Sequence, residues 1–306
     1  METALARART LSPPAFLKLS LASCVALFLV VTSGAFVRLT GSGLGCENWP
    51  QCGDRPFPEQ GFHAFVEFGN RIVALGGLAL TLVTWIGSTR VPGLPRGARL
   101  AALGAFLVTV AQIPMGAITI AVDLHPLAVM THFLLAMVVL ALAAVVGIEA
   151  WRLVAGGEPP AGPSWLRKLV LFAGIPACAA LVVTGAVATA SGPHPGADED
   201  VERLGLEIAD TVYVHVRVAA AFGLGVLFIG WFVWRLRDRH PALVRLWWAL
   251  LAVLVAQAIV GEIQYRSALP WGLVLVHVFL AAAIWAASVA LAYALWRPPR
   301  SVTARQ

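Results

Sequence analysis

Residues 112–132, QIPMGAITIAVDLHPLAVMTH, determine how the rest of the chain is interpreted, because much of their pattern recurs later. A shift of 145 residues superposes four pairs: Gln112 and Gln257, Gly116 and Gly261, His132 and His277, and Asn70 and His215. Residues 70–132 align with the stretch 145 positions later without any gap. This register predicts two copies of one unit, each with a polar or imidazole side chain early in one helix and a His early in another.

The composition is typical of an integral membrane protein. Of 306 residues, 59% are hydrophobic and 12% are charged, which leaves far more apolar surface than a soluble domain could bury. Long uncharged runs predict eight transmembrane helices, at about residues 16–37, 65–88, 100–122, 126–149, 169–190, 212–234, 246–263 and 271–296. The first run is predicted to be a retained helix, because it is too long for a signal peptide and lacks a persuasive cleavage site.

The predicted fold class is therefore an all-α membrane protein of two tandem four-helix bundles related by a parallel internal repeat. The segment GGEPPAGPSW is rich in Gly and Pro, which favours a linker at residues 156–165. Residues 1–155 are then the first half and residues 166–306 the second. Each half has four spans and starts on the same side of the membrane.

The positive charges predict the orientation. With eight spans, 16 of the 22 Lys and Arg residues fall on the side of the termini, among them Arg7, Arg9, Lys18, Arg90, Arg96, Arg99, Arg152, Arg235 and Arg305. Both termini and the linker are thus predicted to be cytoplasmic, in a plasma (cell) membrane. Of the 16 carboxylates, 12 fall on the outer side, including Asp198, Glu199, Asp200 and Glu202. The net charge of +6 reflects this topology and indicates no nucleic-acid partner.

The outer loop after the first span contains Cys46 and Cys52 with five residues between them. On an oxidising side of the membrane this spacing permits a disulfide bond, which could be a static crosslink or a redox-active pair. A metal site is disfavoured because no second Cys or His pair is nearby. Cys24 and Cys178 lie inside spans and are predicted to be packing residues.

The second span begins with three polar residues, Glu67, Asn70 and Arg71. Glu67 and Arg71 are four residues apart, so one interpretation is an ion pair at the membrane boundary. The alternative is an intramembrane carboxylate beside a ligand pocket. Arg71, like Arg217, could bind carboxylates such as porphyrin propionates, or it could simply extend to the membrane interface.

His132, His215 and His277 are predicted at similar depths, about 10 Å or less from the outer boundary. Two His side chains at equal depth on neighbouring helices are what the axial ligands of a haem require, which predicts haem ligation by His215 and His277. The corresponding pair in the first half is Asn70 with His132. Since Asn is a poor iron ligand, that half favours a five-coordinate or transiently held haem, which is typical of a substrate site.

These motifs resemble those of the haem A synthases over nearly the whole chain, in an actinobacterial-type form with Asn70 where many members have His. The motifs are TGSGLGC at 40–46, VEFGNR at 66–71, QIPMGAIT at 112–119, THFLLA at 131–136, GPHPGAD at 192–198, HVR at 215–217, VAQAIVGEIQY at 255–265 and LVHVFLA at 275–281.

The resemblance implies a permanent haem b between His215 and His277. It implies haem O as the substrate of the first half, with His132 as its axial ligand and Asn70 on the same haem. The C8 methyl group of haem O becomes a formyl group through two oxygenations and loss of water. Glu67 matches the essential carboxylate of the family, and Cys46 and Cys52 match its disulfide. Haem A serves cytochrome oxidase assembly, so the implied chain is a metal-binding oxidoreductase.

The implied partners are a haem O synthase that hands over the substrate, an electron donor that the sequence does not identify, and the lipid bilayer; a homo-oligomer is left open. The rival interpretation is a non-catalytic b-type membrane cytochrome that carries electrons from quinol. It accounts for His215 and His277 but gives no reason for Glu67 beside Asn70. A transporter is a third class, favoured only if no haem co-purifies.

Overall fold

The computed structural model describes residues 10–46, 49–54, 57–58, 61–197 and 201–300. In these ranges the chain forms eight helices long and apolar enough to cross a membrane. They are α1 (Pro13–Leu39), α2 (Phe62–Arg90), α3 (Arg96–Ala121), α4 (Pro126–Ala155), α5 (Ser164–Ser191), α6 (Ile208–Trp234), α7 (Pro241–Arg266) and α8 (Trp271–Trp296). The predicted all-α membrane fold is confirmed. The chain termini and six residues used in the charge analysis lie outside the described ranges, namely Arg7, Arg9, Arg305, Asp198, Glu199 and Asp200.

Seven of the eight helices extend beyond their predicted spans at one or both ends, whereas α8 coincides with its span and α3 ends one residue early. Polar caps and prolines continue several of these helices past the apolar run. Ser12, for example, caps α1 by accepting a hydrogen bond from the backbone of Ala15, and Pro13 follows it. The best 18-residue window of each helix has a mean hydropathy between 1.7 and 2.6. Large apolar side chains such as Phe172 and Leu224 are exposed, as suits a surface that faces lipid.

The helices pack as two rings of four. In the first ring α1 contacts α2 and α4, while α3 contacts the same two helices, so α2 and α4 occupy opposite corners. In the second ring α5 contacts α6 and α8, and α7 also contacts both, so α6 and α8 are opposite. The rings meet where α8 packs on α1 and α4 and where α4 packs on α5. We refer to them as the first and second bundle.

Two turns in the described chain share an unusual conformation 145 positions apart. Asp123 and Leu124 have φ of 49° and 58°, and Ala268 and Leu269 have φ of 59° and 57°. In both turns the second of these residues donates a 2.8 Å hydrogen bond to the carbonyl five positions earlier. The internal repeat and the domain boundaries stay predictions, which these turns support.

A buried carboxylate joins the bundles at one end of the molecule, which we call the terminal end because α1 begins and α8 ends there. Glu149 on α4 is 1% exposed and accepts hydrogen bonds from Arg152 at 3.0 and 3.1 Å. Tyr293 on α8 donates at 3.0 Å, and Arg297 donates to both oxygens. A buried charge is tolerated only with such partners, so this cluster fastens α4 to α8.

At the opposite end, the disulfide end, the loops of the two bundles touch. The amide of Gly43 donates to the carbonyl of Gly196 at 2.7 Å. A Cβ atom at Gly43 would lie 2.8 Å from that same oxygen, so only glycine permits this approach. In the charge-based prediction this end faces outward.

Candidate functional site

His215 and His277 lie at opposite corners of the second bundle, yet their rings meet inside it. The ring centroids are 6.3 Å apart and the ring planes make an angle of 63°. A metal bound about 2 Å from one nitrogen of each imidazole, as in other metal–histidine sites, needs ring centroids on the order of 6 Å apart. The pair therefore fits one metal atom between its rings.

Glycines on the neighbouring helices make room for both imidazoles. A Cβ at Gly185 on α5 would lie 3.0 Å from Cε1 of His215, and a Cβ at Gly261 on α7 would lie 3.2 Å from Cε1 of His277. Nδ1 of His277 is buried and has no hydrogen-bond partner among the described residues. The two side chains are thus closely confined by backbone, which fixes where the rings lie.

Thr184 determines which nitrogen of His215 is available. Its hydroxyl lies 2.9 Å from the carbonyl oxygen of Ala180 and 3.1 Å from Nδ1 of His215. Since a hydroxyl has one proton, donation to the carbonyl leaves it an acceptor for the Nδ1–H group. Nε2 then carries the free lone pair that a metal requires.

The first bundle holds Asn70 in the same manner. Ser33 on α1 donates to Oδ1 of Asn70 at 2.7 Å, and Gly34 would place a Cβ 3.9 Å from that oxygen. Ser33 and Gly34 thus do for Asn70 what Thr184 and Gly185 do for His215. Ser33 and Thr184 were not predicted from the sequence, although Ser33 lies in VVTSGA and Thr184 in the similar stretch VVTGA.

His132 is held as His277 is. The side chain of Gln112 donates to the carbonyl of His132 at 3.1 Å, and Gln257 makes the same bond to His277 at 3.1 Å. A Cβ at Gly116 would lie 3.7 Å from Cε1 of His132, whose Nδ1 is also buried without a described partner. Asn70 and His132 come from α2 and α4, the opposite corners of their bundle.

Glu67 is 5% exposed and lies beneath the loop that contains Cys46 and Cys52. Oε2 accepts a 2.8 Å hydrogen bond from the backbone N–H of Cys46, and Oε1 accepts one of 2.5 Å from Arg71. Cys46 and Cys52 form the disulfide bond that the sequence permits. The structure therefore joins the loop to Glu67 directly and contains the ion pair given above as one interpretation of Glu67; a redox role of the disulfide stays a prediction.

The two predicted propionate contacts belong to different bundles, Arg71 to α2 and Arg217 to α6. Besides Glu67, Arg71 binds the loop carbonyls of Pro50, at 3.0 Å, and Gln51. Arg217 is exposed and lies over the ring of Tyr213. Two positions along a helix point to different faces, so Arg217 lies away from the side of α6 that carries His215.

An apolar cavity of about 470 Å³ lies among α5, α6, α7 and α8, nearer the terminal end. Its lining includes Phe222, Trp247 and Ser288, with no ionisable side chain and none of the predicted site residues. It therefore offers volume but no group for acid–base or ligand chemistry.

The chain is similar to several known proteins. A family model described as COX15-CtaA, cytochrome oxidase assembly protein, matches residues 18–289. A protoheme IX farnesyltransferase of Thermus thermophilus is 32% identical over 291 residues, covering 86% of this chain and 46% of that protein. Heme A synthases of Bacillus pumilus and Shewanella oneidensis are 25% and 24% identical, with 85% and 90% of this chain and 89% and 95% of those proteins covered. The chain thus spans less than half the length of the Thermus relative.

Proposed function

Because the chain belongs to the cytochrome oxidase assembly protein family, we propose that it is a haem A synthase, which oxidises the C8 methyl group of haem O to a formyl group for terminal oxidases. The observation that carries this proposal is the 6.3 Å spacing of the His215 and His277 rings in the second bundle. The first bundle, with Asn70 instead of a second imidazole, is the place for a substrate rather than for a permanently bound cofactor.

The second bundle is assigned to haem b. His215 and His277 would be its axial ligands, with Thr184 holding the tautomer of His215. The bound haem b supplies one-electron redox chemistry. The residues of this chain fix its position, since the adjoining glycines leave the imidazoles little freedom.

The first bundle is assigned to haem O, with His132 as its axial ligand. Asn70, oriented by Ser33, lies on the side of the substrate and presents a carboxamide rather than a strong ligand. Glu67, one helical turn from Asn70, would stabilise charge or move a proton near the methyl group. The disulfide loop limits its access to water, because it covers Glu67 and donates to it through Cys46.

The charge distribution supports a membrane location and orientation, and the relatives support a source of the substrate. The chain is proposed to lie in the plasma membrane with both termini cytoplasmic and both haem sites toward the outer face. A haem O synthase is the proposed source of the substrate, since a farnesyltransferase acting on protoheme IX is among the relatives. The poor solubility of haem O favours direct transfer between the two proteins.

Thr184→Val is expected to raise the midpoint potential of haem b by tens of mV and to weaken its binding by about 10-fold or more, because His215 loses the acceptor that increases its basicity. Thr184→Ser is the control, since it keeps the hydroxyl. Redox titration of the low-spin haem band measures the potential. Equal potentials in wild type, Thr184→Val and Thr184→Ser would contradict the role of Thr184.

The proposed function is tested by extracting haem from the purified protein and identifying it by mass, after expression with and without a haem O synthase. We expect haem b alone without the synthase, and haem O or haem A in addition with it. Haem b alone in both preparations would instead support the electron-carrying cytochrome. Absence of any haem would rule out both functions.

A further inference from the structure

Two arginines that sequence analysis assigned to no site lie side by side at the disulfide end. Arg38, near the end of α1, donates to the carbonyl oxygens of His194 at 3.1 Å and Thr189 at 3.0 Å. Arg203, in the segment before α6, donates to the same oxygens at 3.4 and 3.0 Å and also to Gly192. The shared acceptors bring the two guanidinium groups together although the residues belong to different bundles.

This pair carries positive charge that the described chain does not balance. Neither arginine forms an ion pair with a carboxylate among the described residues, and Glu202, next to Arg203, lies 3.6 Å from His125 instead. The carbonyls at the end of α5 contribute the negative end of a helix dipole, equivalent to about half a negative charge. This is less than the two positive charges of the arginines. Burial lowers the pKa of the Arg203 guanidinium, as expected for a cation that lacks a counter-ion.

Hydrogen-bond donors also remain available. Nη1 of Arg38 and Nε of Arg203 have no acceptor among the described residues, while the other nitrogens of both groups are oriented by the carbonyls. Arginines held in this way are preorganised for a carboxylate or phosphate, which takes two parallel hydrogen bonds from a guanidinium group.

The pair lies directly above the His215–His277 site. Thr189 is one turn beyond Gly185 on α5, about 6 Å closer to the disulfide end. His194 donates through Nε2 at 2.8 Å to the carbonyl of Leu269, two residues before α8 begins. The arginines are therefore held by the end of α5, which carries Gly185, and His194 links them to the start of α8, which carries His277.

We propose that Arg38 and Arg203 form an anion site that binds the carboxylates of the haem held by His215 and His277. This inference rests on the proposed function, because it assigns the propionate contacts of haem b within it. Both carboxylates of a haem lie on one edge of its ring, and Arg38 and Arg203 would hold them if that edge faced the disulfide end. A lipid phosphate could form the same hydrogen bonds. The haem carboxylates are favoured because both arginines are half-buried and bind the carbonyls at the end of α5.

The test compares haem with its dimethyl ester, which has the same iron and ring but no carboxylates. The full chain, produced in haem-deficient cells, is titrated with each compound in the presence of neutral lipid, and the low-spin spectrum reports binding. We expect wild type to bind haem at least 10-fold more tightly than the ester. The double variant Arg38→Gln, Arg203→Gln is expected to bind haem more weakly and the ester as wild type does, so its preference falls severalfold. Unchanged binding of the ester shows that the double variant is folded.

Arg266→Gln is the matched control, because Arg266 is an exposed arginine at the same end and pairs with Glu262. If the double variant still prefers haem over the ester as strongly as wild type does, the inference is overturned. It is also overturned if Arg217→Gln loses that preference. An effect of the double variant that appears only with anionic lipid would assign the pair to a lipid phosphate instead. If neither compound gives a low-spin spectrum in wild type, the proposed function itself fails, whereas equal binding of both compounds overturns the arginine site alone.

Discussion

His277→Ala is expected to abolish the low-spin spectrum of haem b and to leave little or no haem bound in the second bundle. The ring of His277 is one of two that approach within 6.3 Å, so its removal leaves the iron with one protein ligand. A six-coordinate, bis-imidazole iron is then no longer formed. Absorption spectra of the reduced and oxidised protein, with haem quantified by extraction, measure the effect.

The matched control for this substitution is His125→Asn, at the N-cap of α4. His125 lies outside both pairs of candidate ligands, and Asn also caps helices, so the fold should be retained. We expect its spectrum to equal that of wild type. A normal low-spin spectrum in His277→Ala would remove His277 from the ligand assignment.

Glu67→Gln is expected to eliminate haem A formation while haem b stays bound at the wild-type level. The substitution keeps the shape of the side chain and an oxygen that can accept from the N–H of Cys46. It removes the negative charge opposite Arg71 and the capacity to carry a proton. The variant is co-expressed with a haem O synthase and purified. Its haem composition then gives the amount of haem A formed and the amount of haem b bound.

The control is Glu262→Gln, which breaks another glutamate–arginine pair of the same spacing, on the surface of α7. Exposed pairs contribute little, so this variant should make haem A normally. If Glu67→Gln accumulates haem A at the wild-type rate, its catalytic role is excluded. Loss of haem b as well would instead indicate that Glu67 mainly supports the structure beneath the disulfide loop.

The helices were predictable because each span is a long apolar run, a local property of the chain. The helix ends beyond the apolar runs were less predictable. Ser12 and Pro13, for example, begin α1 although neither is strongly apolar. Spacing also indicated the Glu67–Arg71 pair, since residues four apart on a helix are neighbours. The bond from Cys46 to Glu67 depends on the conformation of an irregular loop, which spacing does not give.

The supporting residues of the site were missed for a physical reason. Ser33 and Thr184 are 151 positions apart, whereas the pairs that revealed the repeat are 145 apart, so the shift that aligns the ligands misaligns their partners. Arg38 and Arg203 are brought together by contacts between loops and helices distant in sequence. Neither lies near a His in the chain, and a charge count assigns them only to a side of the membrane.

The indole of Trp285 on α8 donates a 2.7 Å hydrogen bond to the carbonyl of Met137 on α4. It joins the two helices that carry His277 and His132, which pack directly against each other. Axes of packed helices are about 8–10 Å apart. In the proposed function, α8 would hold one haem through His277 and α4 would hold the other through His132. The packing of α4 on α8 would then set the separation of the two groups, and the Trp285–Met137 bond would help to keep it constant.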